Sequence, residues 1–242
     1  MARLVAGRYA AVMHRCMVVV LVALVVGAAG AGCGVTAIST GGPEMDDRLI
    51  AAAAAGDLAG ITAALTDGAD VNVRDARGQT PLLVATRARQ TEAFRTLLAA
   101  GADVDLQDER LDNPFLYAGA EGRLDILKLA NEAGADPTIT NRYGGVALIP
   151  AAERGHVEVV QYLLTETAVD VNHVNRLGWT ALLEAILLSD GGPRHQAIVA
   201  LLIEHGADVE LADGDGVRPL AHARARSQAE ITALLAAAGA RP

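Results

Sequence analysis

Gly155-His156-Val157-Glu158-Val159-Val160-Gln161-Tyr162-Leu163-Leu164 places its apolar residues at 157, 159, 160, 163 and 164, the stripe of a short helix that buries one face. Gly155 breaks the chain just before it, so an earlier helix, about residues 147–153, must turn and pack back on it. Ala168-Val169-Asp170-Val171-Asn172 then leaves as an extended polar exit. One helix pair with a single apolar face cannot bury that face alone and needs stacked copies.

The copies are present. Gly-Ala-Asp recurs at Gly68, Gly101, Gly134 and Gly206, with Gly239-Ala240 last and a degenerate Ala168-Val169-Asp170 filling the gap. Each follows a leucine-rich helix end, and the glycine sits where a left-handed C-terminal cap costs least. A second register opens each unit: Thr80-Pro81-Leu82, Asn113-Pro114-Phe115, Val146-Ala147-Leu148, Thr180-Ala181-Leu182 and Arg218-Pro219-Leu220. Thr or Asn caps a helix there, and proline takes the first position, where no donor is needed. Ahead of it lies a turn with glycine, as in Asp75-Ala76-Arg77-Gly78; the third unit breaks that rule with Leu111.

Period, Thr-Pro-Leu, Gly-His-Val-Glu-Val-Val and Gly-Ala-Asp-Val-Asn together resemble ankyrin repeats over about residues 46–239. The resemblance implies an all-α solenoid of helix-turn-helix units with short β-hairpin loops. Its units are a capping unit (46–74), internal repeats (75–107, 108–140, 141–174, 175–212) and a closing unit (213–242). Residues 141–223 also look like bacterial exported ankyrin proteins. Two departures stand out. The fifth unit carries the excess Ser189-Asp190-Gly191-Gly192-Pro193, expected to loop out and tolerate deletion within about 1 kcal/mol. Pro150, near the start of a helix, removes a backbone bond and is expected to tilt it.

Bulk composition narrows the partners. Hydrophobic residues make up 52% of 242, but aromatics only 3%, so alanine and leucine must fill the core. The first 33 residues hold three arginines and no acid. The remaining 17 basic residues face 29 acidic ones, a net charge of −12. Such a surface repels nucleic acid and gains nothing from an anionic membrane.

Arg3, Arg8 and Arg15 precede an apolar run from Met17 to Val26 and small residues up to Cys33, the pattern of an export signal. It resembles a bacterial lipoprotein signal: Ala31-Gly32-Cys33 matches the last three lipobox positions, with Gly30 where that family has leucine. The resemblance implies lipidation at Cys33, a flexible tether over 34–45, and a location on the outer side of the cytoplasmic membrane. Cleavage without lipid and an uncleaved anchor are the alternatives, since residues 16–38 carry no charge over a length that can span. Cys16 and Cys33 are the only cysteines, which excludes a disulfide framework or cysteine zinc site beyond residue 33.

Catalytic and phosphate-binding patterns are missing: no Gly-x-Ser-x-Gly, no His-Glu-x-x-His, no glycine-rich phosphate loop. His156 reads as the usual histidine at a repeat's helix start. His173 and His222 read as surface residues without a visible partner, and His195 and His205 as facing solvent. Asp70, Asp103, Asp136 and Asp208 read as turn caps. What remains is a surface. In ankyrin repeats the hairpin tips and inner helix face bind partners, which nominates Arg77, Arg110, Arg142, Tyr143, Arg176 and Trp179 as partner-binding residues, with Arg110, Arg142, Tyr143, Arg176 and Trp179 expected to form a central strip. Arg, Tyr and Trp most often anchor interfaces. The expectation is a monomeric, non-catalytic protein-binding module with no metal or cofactor. A structural envelope protein without a partner, and a ligand-binder or enzyme using the His173/His222 region or the acidic face, are the competing readings.

Overall fold

The computed structural model describes residues 42–241. The signal segment, Cys33 and tether residues 34–41 lie outside the described residues. Six helix pairs follow one another: α1 (Pro43–Ala55) and α2 (Leu58–Thr66), α3 (Pro81–Arg87) and α4 (Thr91–Ala99), α5 (Pro114–Ala120) and α6 (Leu124–Glu132). The last three are α7 (Leu148–Glu153) and α8 (Val157–Glu166), α9 (Ala181–Leu187) and α10 (Pro193–Glu204), α11 (Pro219–Ala225) and α12 (Ala229–Ala237). α1 begins inside the expected tether because Gly42 is extended and Pro43 supplies the first helical position. Odd-numbered helices stack in one layer and even-numbered helices in a second.

The opening motif works as its chemistry dictates. The side chains of Thr80, Asn113 and Thr180 accept the backbone N–H groups of Leu83, Leu116 and Leu183 at 3.2, 2.8 and 3.2 Å. Val146 cannot, and α7 starts a residue later than its siblings with no side-chain cap. Columns of equivalent residues form the core. Ala85, Ala118, Ala151, Ala185 and Ala223 are fully buried along the inner helices, so neighbouring backbones approach closely. Ala64, Leu97, Ala130, Leu163, Leu202 and Leu235 form the matching column of the outer layer. Phe94 and Phe115 are the large aromatic members.

The short β-hairpins expected between units are not strands; among the described residues there is none. Each tip is a tight turn around one Asp or Asn. Asp75, Asp108, Asn141, Asn175 and Asp213 donate their N–H to the carbonyl four residues on, at 2.9–3.0 Å. Their Oδ1 atoms accept the N–H groups two and four residues on, so side chains consume the donors that a strand ladder would need. Leu111 completes its turn by taking the left-handed conformation itself, φ 57°.

Two hydrogen-bond columns tie unit to unit. In the exit loops, Asp103, Asp136 and Asp208 donate their N–H to side chains one repeat earlier, those of Asn72, Asp105 and Asn172, at 2.8, 3.0 and 2.7 Å. At the other edge, side chains reach back to the last carbonyls of the preceding inner helix, which lack partners of their own. Arg123 donates to Thr86 and Arg87, His156 contacts the Ala120 carbonyl at 3.2 Å, and His195 the Glu153 carbonyl at 2.9 Å. His195 is thus an inter-repeat tie with a largely covered ring, rather than facing solvent.

The 189–193 insertion belongs to the same column. Ser189 is buried, Gln228 Nε2 donates to the Ile186 carbonyl at 3.0 Å, and Arg226 donates to the Ser189 carbonyl at 3.2 Å. A Cβ on Gly191 would lie 2.7 Å from Gln228 Cγ. The loop packs on the closing unit, against the expectation that it projects freely.

Candidate functional site

Inner helices α5, α7 and α9 and the turns ahead of them enclose a groove of about 550 Å³. Arg110, Arg142 and Tyr143 line it; Arg77, Arg176 and Trp179 do not. Of the expected central strip, Arg176 and Trp179 thus lie outside the groove lining. Arg142 stacks over the Tyr143 ring at 4.4 Å and donates to its hydroxyl at 3.2 Å, which makes an exposed cation–aromatic unit. Arg176 is committed to the preceding turn: its N–H donates to the Tyr143 carbonyl at 2.9 Å and its guanidinium to the Arg142 carbonyl at 2.8 Å. Trp179 is half-buried at the foot of its turn. Arg77 lies 3.5 Å from Asp75, one unit away from the groove turns.

The groove's N-terminal end is a polar centre whose two acids share one cation of the chain. Arg87 donates to Asp108 at 2.9 Å and Asp112 at 3.1 Å, and its guanidinium lies 4.4 Å from the centre of the Tyr117 ring. Asp108 is only 4% exposed, so the pairing removes what would be an isolated buried charge. Burial, reinforced by the charge of Asp108, pushes the Asp112 carboxyl up although Arg87 opposes it. In the middle, Glu121 is held by Arg154, which also donates to the Ala120 carbonyl at 3.0 Å.

The C-terminal end is built differently. Glu184 on α9 is 6% exposed and accepts one hydrogen bond, from Asn175 Nδ2 at 2.8 Å. Burial first, then the like charge of Glu153 on α7, raises its carboxyl to about 7, while Asn175 opposes the shift. Among the described residues neither Glu153 nor Glu184 makes an ion pair. Tyr143, Leu177 and Leu188, each about half exposed, give this end apolar surface.

The histidines find structural partners. His222 contacts Asp213 at 2.7 Å, so it is not the unpartnered surface residue expected. The Val217 N–H, with the His222 contact adding to it, holds the Asp213 carboxyl below the usual range. His173 reaches the Gly144 carbonyl at 2.7 Å. Burial lowers His156 below the ordinary imidazole value, which suits a neutral ring tied to Ala120. Asp70, Asp103, Asp136 and Asp208 accept the N–H groups two residues on, at 2.8–2.9 Å.

Tyr117 and Glu184 are groove residues that the sequence reading did not nominate. Glu184 carried a signal: a single acid inside Ala181-Leu182-Leu183-Glu184-Ala185-Ile186, a run otherwise wholly apolar.

The family model for ankyrin repeats (3 copies) matches residues 49–141, 115–213 and 148–242. The ankyrin-repeat protein YahD of Escherichia coli (strain K12) is 44% identical over 189 residues, covering 78% of this chain and 94% of that protein. The crystal structure of an ankyrin repeat domain from Acinetobacter baumannii AYE is similar with a TM-score of 0.77 at 53% identity, covering 80% of this chain and 98% of that one. The ankyrin repeat domain of Bcl-3, at 24% identity, TM-score 0.72 and coverage of 80% and 86%, shares the fold.

Proposed function

This chain belongs to the ankyrin-repeat family, and from that premise we propose that it is a non-catalytic protein-binding module whose partner docks in the groove between Arg110 and Leu188. The observation that carries the reading is the groove itself, a concave surface of about 550 Å³ with Arg142 and Tyr143 exposed on its rim. A stacked, amphipathic, half-exposed cation–aromatic pair is the kind of anchor that gives an interface most of its energy. At the N-terminal end of the groove Arg87 holds Asp108 and Asp112, and Arg154 holds Glu121, which keeps that part of the rim preorganised.

The module acts on the outer side of the cytoplasmic membrane, tethered through Cys33, where it protects or inhibits another protein. That location rests on the basic, apolar and small-residue succession of residues 1–33. The test is cross-linking in intact envelope followed by pull-down. Wild type should capture a discrete partner, and Arg142→Ala with Tyr143→Ala should weaken it by about 2 kcal/mol or more while the melting temperature holds. Absence of any discrete partner would leave a structural envelope role instead. A lipoprotein signal-peptidase inhibitor should shift the gel mobility, and unchanged mobility would remove lipidation at Cys33.

A further inference from the structure

The two ends of the groove differ in whether the buried acid has a cation. Asp108 and Asp112 share Arg87 at 2.9 and 3.1 Å. Glu184 has only the neutral Asn175 amide, on Oε1, and its second oxygen accepts no hydrogen bond among the described residues. The neighbouring charge that acts on it is the like charge of Glu153. Of the arginines that line the cleft, Arg87 is bound to Asp108 and Asp112, Arg154 to Glu121, and Arg142 is stacked on Tyr143, so two carboxylates with no cation paired to either form an electrostatic demand that the folded chain does not meet. Leu177 and Leu188, 55% and 49% exposed, border the same end, with Tyr143 beside them.

Resting on the interaction reading above, we propose that this end of the groove takes a lysine or arginine side chain of the partner protein. Its cation lies between Glu153 and Glu184, and its aliphatic stem lies along Leu177 and Leu188. Long basic side chains suit such a place because they cover apolar surface with their methylenes while the head keeps a polar partner. The depth of Glu184 favours a side chain over a flat charged patch: a carboxylate this covered is reached by a single extended group. The partner's basic residue thus completes at α7 and α9 what Arg87 completes within the chain at turn 108–112.

A random heptapeptide display library selected on the full chain tests this, with wild type, Glu184→Gln and Glu158→Gln run in parallel. Glu158 lies on α8, away from the groove. Wild type and Glu158→Gln should enrich peptides with Lys or Arg at one fixed position, and Glu184→Gln should lose that enrichment. A synthetic selected peptide should bind Glu184→Gln at least tenfold more weakly. Replacing its arginine by citrulline should cost wild type a similar factor. Glu153→Gln gives the same reading should Glu184→Gln fail to fold by circular dichroism. Binders without a basic residue, or basic enrichment that survives Glu184→Gln, would overturn this inference and leave the interaction reading standing. So would enrichment that Glu158→Gln also abolishes. A library with no binder at all would overturn both.

Discussion

Asp108 and Glu184 are both buried acids beside the groove, placed two repeats apart by copies of one architecture, and they have opposite electrostatic fates. Asp108 anchors its turn through Oδ1 and meets Arg87 through Oδ2, so its charge is consumed by folding. Glu184 meets an amide and a like charge, so its charge is carried at a cost. A repeat array can afford one such site because each unit is held mainly by its neighbours. The difference separates a polar group that builds the fold from one left for something else.

The strongest way to break the contrast is Arg87→Met. It leaves Asp108 buried without its cation, and removal of one partner from a buried pair costs about 3–5 kcal/mol. Urea denaturation should show that loss at pH 7. A change below about 1 kcal/mol, the scale of exposed pairs, would mean that Asp108 is carried by its turn hydrogen bonds alone.

Glu184→Gln should act in the opposite direction. With its carboxyl raised from 4.5 to about 7 in the folded state, the glutamic acid is protonated in both states below pH 4.5. Its contribution is fully present there and is lost as pH rises from 4.5 through 7, because over that range the folded chain holds a proton that the unfolded chain has released. The uncharged variant should match wild type at pH 4 and exceed it by up to about 3 kcal/mol at pH 8. Equal stability at pH 8 would show that water or a neighbouring donor already satisfies the carboxylate.

A third test asks whether the closing unit leans on the groove's end. Deleting 189–193 removes the Ser189 carbonyl that receives Arg226 and displaces the Ile186 carbonyl that receives Gln228. Two inter-repeat donors lose their acceptors, so about 2 kcal/mol should be lost rather than the 1 kcal/mol or less of a free loop. Thermal melts of the deletion beside Gln228→Ala would separate loop length from the lost hydrogen bond.

The stacking was legible because period and caps are local: Thr80, Asn113 and Thr180 announce their helices, and Gly155 separates two of them. The columns of inter-repeat hydrogen bonds were not, because Asn72 and Asp103, or Gln228 and Ile186, meet only after the units have stacked. The nominated residues divide at the groove for the same reason. Arg142 and Arg176 hold equivalent places in their turns, yet Arg176 folds back to the Arg142 carbonyl while Arg142 stacks on Tyr143. Equivalent sequence position fixes the Cα, and the neighbouring turn decides where the side chain goes. Insertion against the period likewise predicted a loose loop, but an insertion next to an inner helix end still meets the next unit's cap.

The smallest expected effect compares the turns themselves. Turn 175–179 has Gly178 at φ 78°, and a Cβ there would lie 2.9 Å from the backbone nitrogen of Gly214. Turn 108–112 has Leu111 at φ 57°, where a side chain costs about 1–2 kcal/mol of backbone strain. Leu111 is 38% exposed, so replacing it with glycine forfeits some apolar contact, and the more flexible unfolded chain takes about another 0.5–1 kcal/mol. Relief of strain opposes both, and Leu111→Gly should change stability by less than about 0.5 kcal/mol. A partly buried leucine in an unstrained conformation would lose about 2 kcal/mol on the same change. The reciprocal Gly178→Ala should lose more than Leu111→Gly, because it meets strain and a backbone contact together. Urea midpoints of the two variants decide it: a loss near 2 kcal/mol for Leu111→Gly would mean that this leucine is an anchor of the groove's Arg87 end rather than a strained substitute for glycine.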